Sequence, residues 1–205
     1  MSDAPAAVVD VAFWLQGQTL ALAREHRQAL AAALTHALPW LASLPGAGVH
    51  RLNVSAGGGP MALLSQRTRL TLRLPRERAA DAAVLSGQSL QVAGASLPMG
   101  AAQVRELVPH GTLYAHLVAS ESDDELAFLQ AMQDEIGTLG LACRAICGRH
   151  QVAEGGALQG FSLMLDGLSA AHARRLLETG LGPHRLLGCG VFVPHKSAAA
   201  VGAPH

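Results

Sequence analysis

Apolar and polar positions alternate along this chain in two rhythms, one of period two and one of period three to four. From Arg67 to Leu74 the alternation is strict. Arg67, Arg69, Thr71 and Arg73 share one side, and Leu70, Leu72 and Leu74 the other. That pattern predicts a half-buried strand with a basic outer face. Val8–Leu15, rich in β-branched and aromatic residues, reads as an earlier strand. Between them, Arg24–Leu41 repeats apolar residues at helical spacing (Leu30, Ala33, Leu34, Ala37, Leu38, Leu41), and Pro39 ends or kinks the helix. Val49–Val54 reads as a short strand before a Gly57-Gly58-Gly59-Pro60 turn, and Arg76–Leu85 as a short helix. Ser89–Val92 and Ala101–Leu107 complete this half as a hairpin or strand.

The second half repeats the order. Thr112–Ala119 predicts a strand. Ser122 with Glu125 three residues later forms a capping-box pattern before a helix through Leu139, whose seam is Leu126, Leu129, Met132 and Ile136. Gly140 suits its carboxyl end. Leu141–Cys147 and Leu158–Leu165 read as strands, with the glycine-containing stretch from Gly148 to Gly156 as their connection. Ser169 caps a helix to Thr179, Gly180 stops it, and Val191–Val193 closes the unit. Strand, helix, strand, strand, helix, strand, occurring twice, predicts an α+β chain of two tandem ferredoxin-like (RRM-like) modules. Their expected bounds are 1–108 and 109–196, divided where Pro109 and Gly111 cluster, with 197–205 as a disordered Ala/Gly/Pro tail.

Charge changes this picture by dividing the two halves. The net charge of the 205 residues is zero, which a nucleic-acid-binding domain rarely shows. Residues 1–108, however, carry +3 and residues 109–205 carry −3. Fourteen of the fifteen basic residues are arginine, whose planar fork of donors suits phosphate, although GC-rich codon usage would produce the same bias. No apolar run is long enough to span a bilayer, the acidic amino terminus lacks the basic region of a signal peptide, and three cysteines without framework spacing point to a reducing cytoplasm. Cys143, Cys147 and His150 do not complete a zinc-ligand set.

The densest candidate chemistry lies at Gly180-Leu181-Gly182-Pro183-His184-Arg185-Leu186-Leu187-Gly188-Cys189-Gly190, where four glycines bracket a His-Arg pair. Glycine lets a backbone turn sharply and approach a ligand closely, and consecutive N–H groups in such a loop suit a phosphate. With Leu38-Pro39-Trp40, Thr68–Pro75 and Leu113-Tyr114-Ala115, this loop resembles the Cas6 family of CRISPR RNA endoribonucleases, most closely its Cmx6 (Myxan) variant.

The resemblance implies a metal-independent enzyme without a cofactor, in which a 2′-hydroxyl of CRISPR repeat RNA attacks the adjacent phosphate. It also implies repeat RNA as partner, other CRISPR effector subunits as further ones, and neither a membrane nor DNA contacted directly. It places the proton-transfer histidine near the start of the first helix, where His26 stands between Arg24 and Arg27. A helix amino terminus attracts anions and favours a neutral imidazole. A surface histidine in a charged turn is the alternative. Arg24, Arg27, Arg67, Arg69, Arg73, Gly182, His184, Arg185, Gly188 and Gly190 are the expected RNA contacts, with Arg185 adding a forked contact at the loop. Tyr114 either donates a hydrogen bond near the RNA or packs in the core.

Two features depart from the resemblance. The stretch 148–156 is short and nearly neutral where the family carries a basic hairpin, and aromatics make up only 3% of the chain, so stacking of bases on a sheet is not expected. A non-cleaving RNA-binding subunit, and a ferredoxin-like module for proteins or small ligands, therefore stay open as readings.

Overall fold

A computed structural model describes residues 7–16, 20–54, 59–65 and 67–195. The chain forms two compact units, Met1–Leu107 with Leu186–Gly188, and Val108–Arg185 with Cys189–His205. The predicted turn at Gly57-Gly58 and the tail 197–205 lie outside the described residues.

In the first unit the elements run β1 (Val8–Leu15), β2 (Leu20–Ala23), α1 (Arg27–Ala37), β3 (Gly48–Val49), β4 (Met61–Leu64), β5 (Arg69–Pro75), α2 (Ala79–Ala82), β6 (Ser89–Val92) and β7 (Ala95–Glu106). One antiparallel sheet has the order β3-β5-β1-β7-β6, and β2 pairs with β4 separately. Val9, Val11 and Phe13 of β1 and Leu70, Leu72 and Leu74 of β5 are buried in one core with Leu30 and Leu34 of α1. Pro39 cannot continue α1, and the chain turns into a 3-10 segment, Pro39–Ser43. The hairpin between β6 and β7 turns at Ala93 and Gly94, both at positive φ, the combination that matches strand twist in a two-residue loop.

The second unit runs β8 (Thr112–Ala119), α3 (Glu125–Thr138), β9 (Arg144–Ala153), β10 (Leu158–Asp166), α4 (Ala170–Thr179) and β11 (Val193–Pro194), with sheet order β11-β8-β10-β9. Both sheets therefore place their fourth principal strand beside the first and the third beside the second. This is the ferredoxin-like arrangement, given twice, with β6 and the β2–β4 ribbon as additions in the first unit.

Several boundaries differ from the sequence expectation, each for a local reason. α1 begins at Arg27, not Arg24, because β2 occupies Leu20–Ala23. Asp124, not Ser122, caps α3: its carboxylate accepts from Leu126 N and Ala127 N, while Ser122 Oγ accepts from Asp124 N. The stretch 148–156 is not a connection. β9 continues to Ala153, and only the 3-10 turn Glu154–Gly156 joins it to β10.

Candidate active site

His26 is the N-cap residue of α1 and is 7% exposed, so it is not a surface histidine. Its Nδ1 lies 2.8 Å from the Ala23 carbonyl oxygen. That oxygen can only accept, so Nδ1 carries the proton and Nε2 is the basic nitrogen of the neutral ring. No side chain among the described residues caps α1, and its first turn holds no acid. The amino end of α1 therefore keeps the partial positive charge that an anion seeks.

The flanking arginines hold backbone. Arg24 donates from Nε to the Gly59 carbonyl (2.9 Å) and from Nη2 to that of Met61 (3.4 Å), fixing the lead into β4. Arg27 donates from Nη1 to the Leu187 carbonyl at 2.8 Å. Leu187 belongs to the three-residue piece of the glycine-rich loop, Leu186–Gly188, that packs in the first unit, with Leu186 against its core. Gly188, at φ +78°, sits so close that a Cβ there would lie 3.1 Å from Arg27 Nη1 and 3.4 Å from the Val49 carbonyl. This three-residue piece thus runs beside Arg27, the residue that follows His26.

The remainder of the loop is more structural than its sequence implies. Gly180, Gly182, Gly188 and Gly190 all have positive φ, and a Cβ on Gly190 would run into the Leu181 carbonyl. Two of the expected phosphate donors are already engaged: Gly182 N–H donates to both carboxylate oxygens of Glu135 (3.0 and 3.1 Å), and Gly190 N–H to Leu117 O (2.8 Å). Arg185 is likewise held within the protein. Its guanidinium turns back and donates to the Thr179 and Glu178 carbonyls, closing the carboxyl end of α4. His184 is exposed and held at φ +65°, an unusual conformation for a residue with a side chain.

The arginine strand divides in two. Arg73 is 1% exposed, and its Nε and Nη2 donate to the two oxygens of Asp10 at 2.8 and 3.0 Å, so it is not a phosphate-facing residue. His50 Nε2 lies 3.1 Å from the same carboxylate. Burial by itself would raise the Asp10 pKa, but the hydrogen bond and charge of His50, and then those of Arg73, outweigh it and hold the carboxyl well below the usual range. Register explains this: Asp10 stands opposite Arg73, and a pleated position opposite a carboxylate recruits the guanidinium. Arg67 lies in the turn before β5 and is exposed.

Arg69 differs. It stands opposite Trp14, and its guanidinium lies 3.6 Å from the centre of the indole ring. Desolvation, and then the charge of Arg105 on β7, lower its pKa, so two cations share this side of the sheet. Sequence reasoning missed Trp14 and Arg105. The alternation of β1 puts Trp14 on the side of Asp10, and only the β1–β7 pairing places Arg105 opposite Asp10. In the second unit, Tyr114 is half-buried, with its ring edge-on to His116 (4.9 Å) and tilted to His195 (5.3 Å), rather than packed among core aliphatics.

The fold is that of two ferredoxin-like modules in tandem, and comparison with known proteins gives its family. A family model described as Cas6 Crispr matches residues 9–197. A CRISPR-associated endonuclease Cas6 from Myxococcus xanthus (strain DK1622) is 35% identical over 196 residues, covering 94% of this chain and 84% of the relative. Solved structures of similar fold include a CRISPR associated protein Cas6, with TM-score 0.64 at 9% identity, covering 92% of this chain and all of that one. A RAMP protein binding different RNA substrates has TM-score 0.62 at 15% identity, covering 90% of this chain and 98% of that one. The chain belongs to the Cas6 family of CRISPR-associated proteins. No helix among the described residues is long and apolar enough to cross a membrane.

Proposed function

We propose that this protein is a metal-independent endoribonuclease that cuts CRISPR repeat RNA in the cytoplasm and passes the guide to other CRISPR subunits. The observation that carries the reading is His26 at the uncapped start of α1, with its proton on Nδ1 and its basic nitrogen at Nε2. Nε2 takes the proton of a 2′-hydroxyl, and the alkoxide attacks the adjacent phosphorus. The P–O bond to the 5′-oxygen breaks, giving a 2′,3′-cyclic phosphate and a 5′-hydroxyl once that oxygen gains a proton. The α1 amino end faces the charge that develops on the phosphorane. Arg27 positions the loop through Leu187. Arg69, over the Trp14 ring, and Arg105, whose charge acts on Arg69, gain most from an intervening phosphate. Exposed Arg67 extends the same polyanion contact.

Incubating the protein with repeat RNA in EDTA and analysing the ends tests this reading. A cyclic phosphate formed without metal is expected. Binding without cleavage would leave a non-cleaving RNA subunit, and the low exposure of His26 is what favours that second reading.

A further inference from the structure

Negative charge in the second unit is concentrated in one segment. From Glu121 to Thr138 there are six acids and no basic residue. This segment, the loop before α3 and α3 itself, borders a cavity of about 600 Å³. Phe128, Met132 and Leu158 form its apolar floor, the small exposed residues Ala127 and Ala131 open it along α3, and Glu121 and Glu135 stand among its lining. Among the described residues no Lys or Arg lines it. One turn away on α3, Leu126 is 78% exposed.

The size suits a ligand, since binding clefts commonly span about 300–1,000 Å³. The charge selects which. A phosphate here would meet the carboxylates of Glu121 and Glu135 and no lysine or arginine, so RNA is repelled. An apolar side chain carried between lysines or arginines would be attracted by both floor and walls. Small residues on a helix, flanked by larger apolar ones, let a second helix come close.

We propose that this groove is a docking site for a basic amphipathic helix of another protein. Its apolar side chains seat over Phe128 and Met132, and its cations pair with Glu121 and Glu135. The proposal does not depend on the cleavage chemistry, because every lining residue lies in the second unit and His26 in the first.

The probe is a fluorescent Lys/Leu peptide patterned as an amphipathic helix, measured by anisotropy without RNA. It is expected to bind in a salt-dependent manner, with amide shifts at Ser120–Ser122, along α3 and at His184. Ala131→Arg, which adds bulk and a positive charge at an exposed helix site, should weaken binding at least about tenfold and leave RNA cleavage unchanged. Several results would overturn the site. A Leu/Glu peptide binding as well would remove the charge argument, and a Lys/Ser peptide binding as well would remove the apolar floor. Equal affinity of Ala131→Arg would place the peptide elsewhere. Displacement of the peptide by repeat RNA would make the groove an RNA site, and self-association lost in Ala131→Arg would make the occupant a second copy.

Discussion

The helices that follow the first strand of each unit begin in opposite ways. α3 starts at Asp124, whose carboxylate accepts two backbone N–H groups, and α4 starts likewise with Ser169 accepting from His172 N. α1 starts at His26, which makes no such bond and instead points Nδ1 at the chain behind it. A side-chain cap typically stabilises a helix by about 0.5–2 kcal/mol. Neither helix of the first unit has a side-chain cap at its start, while the second unit secures both of its helix starts. The same division runs through charge, with arginines on the first sheet and carboxylates around α3. One fold used twice thus separates a chemically poised half from a structurally settled one.

Replacing His26 is the strongest way to break that contrast. His26→Ala should lower single-turnover cleavage by about 10²–10⁴-fold, with RNA affinity within a few-fold of wild type. His26→Asp should be equally inactive yet melt at higher temperature, because it supplies the missing cap. Cleavage at the wild-type rate in both variants would remove His26 from the chemistry.

The buried pair comes next in size. Asp10→Ala strands the Arg73 guanidinium, and loss of one partner of a buried pair costs about 3–5 kcal/mol. Because the Asp10 pKa is depressed on folding, the stabilisation it gives is present above the ordinary carboxylate value, about 3.9, and is lost as pH falls toward its lower folded value. Urea midpoints measured from pH 6 downward should fall below about pH 4 in the wild type, and Asp10→Asn should start lower and decline less. Parallel curves would mean that the pair contributes nothing.

In the loop, Gly188→Ala forces a side chain to φ +78° and presses on Arg27, and should cost of order 1–3 kcal/mol. Arg185→Ala should also melt earlier, by roughly 1 kcal/mol, since it removes hydrogen bonds to the end of α4. An unchanged melting temperature in Arg185→Ala, joined to a large loss of RNA affinity, would restore the view that this side chain reaches for RNA.

Asp124→Ala sharpens the comparison from the other side. It should cost about 1 kcal/mol and leave cleavage untouched. The smallest effect is expected on the first sheet: Arg69→Ala and Arg105→Ala should each flatten the dependence of log K on log salt by roughly one unit or less. A slope unchanged in the double variant would move the RNA off that sheet.

Much of this architecture is legible in periodicity. Thr112–Ala119 and the Ser169 cap stand where the pattern puts them, because the apolar face of a strand and the start of a helix are written in adjacent residues. What eludes the pattern depends on partners distant in sequence. Alternation alone groups Arg69 with Arg73, and only strand pairing sends one to Trp14 and the other to Asp10. Arg185 reads as a loop cation until Gly180 folds the chain back upon α4. His26 is legible by position, and its burial and its bond to Ala23 are not, since β2 has too short an apolar run to stand out.

Strand β9 carries a consequence of another kind. In the two larger sheets the outer strands β3, β6 and β11 are two, four and two residues long, whereas β9, the fourth outer strand of those sheets among the described residues, has ten. A long bare edge is a template on which other chains add as further strands and grow into fibres. The register shift opposite Phe161–Leu163 bends this edge, and Arg144 and Arg149 stand exposed along it. Charged side chains on a long edge strand are a general device that disfavours such pairing, and β9 carries two of them.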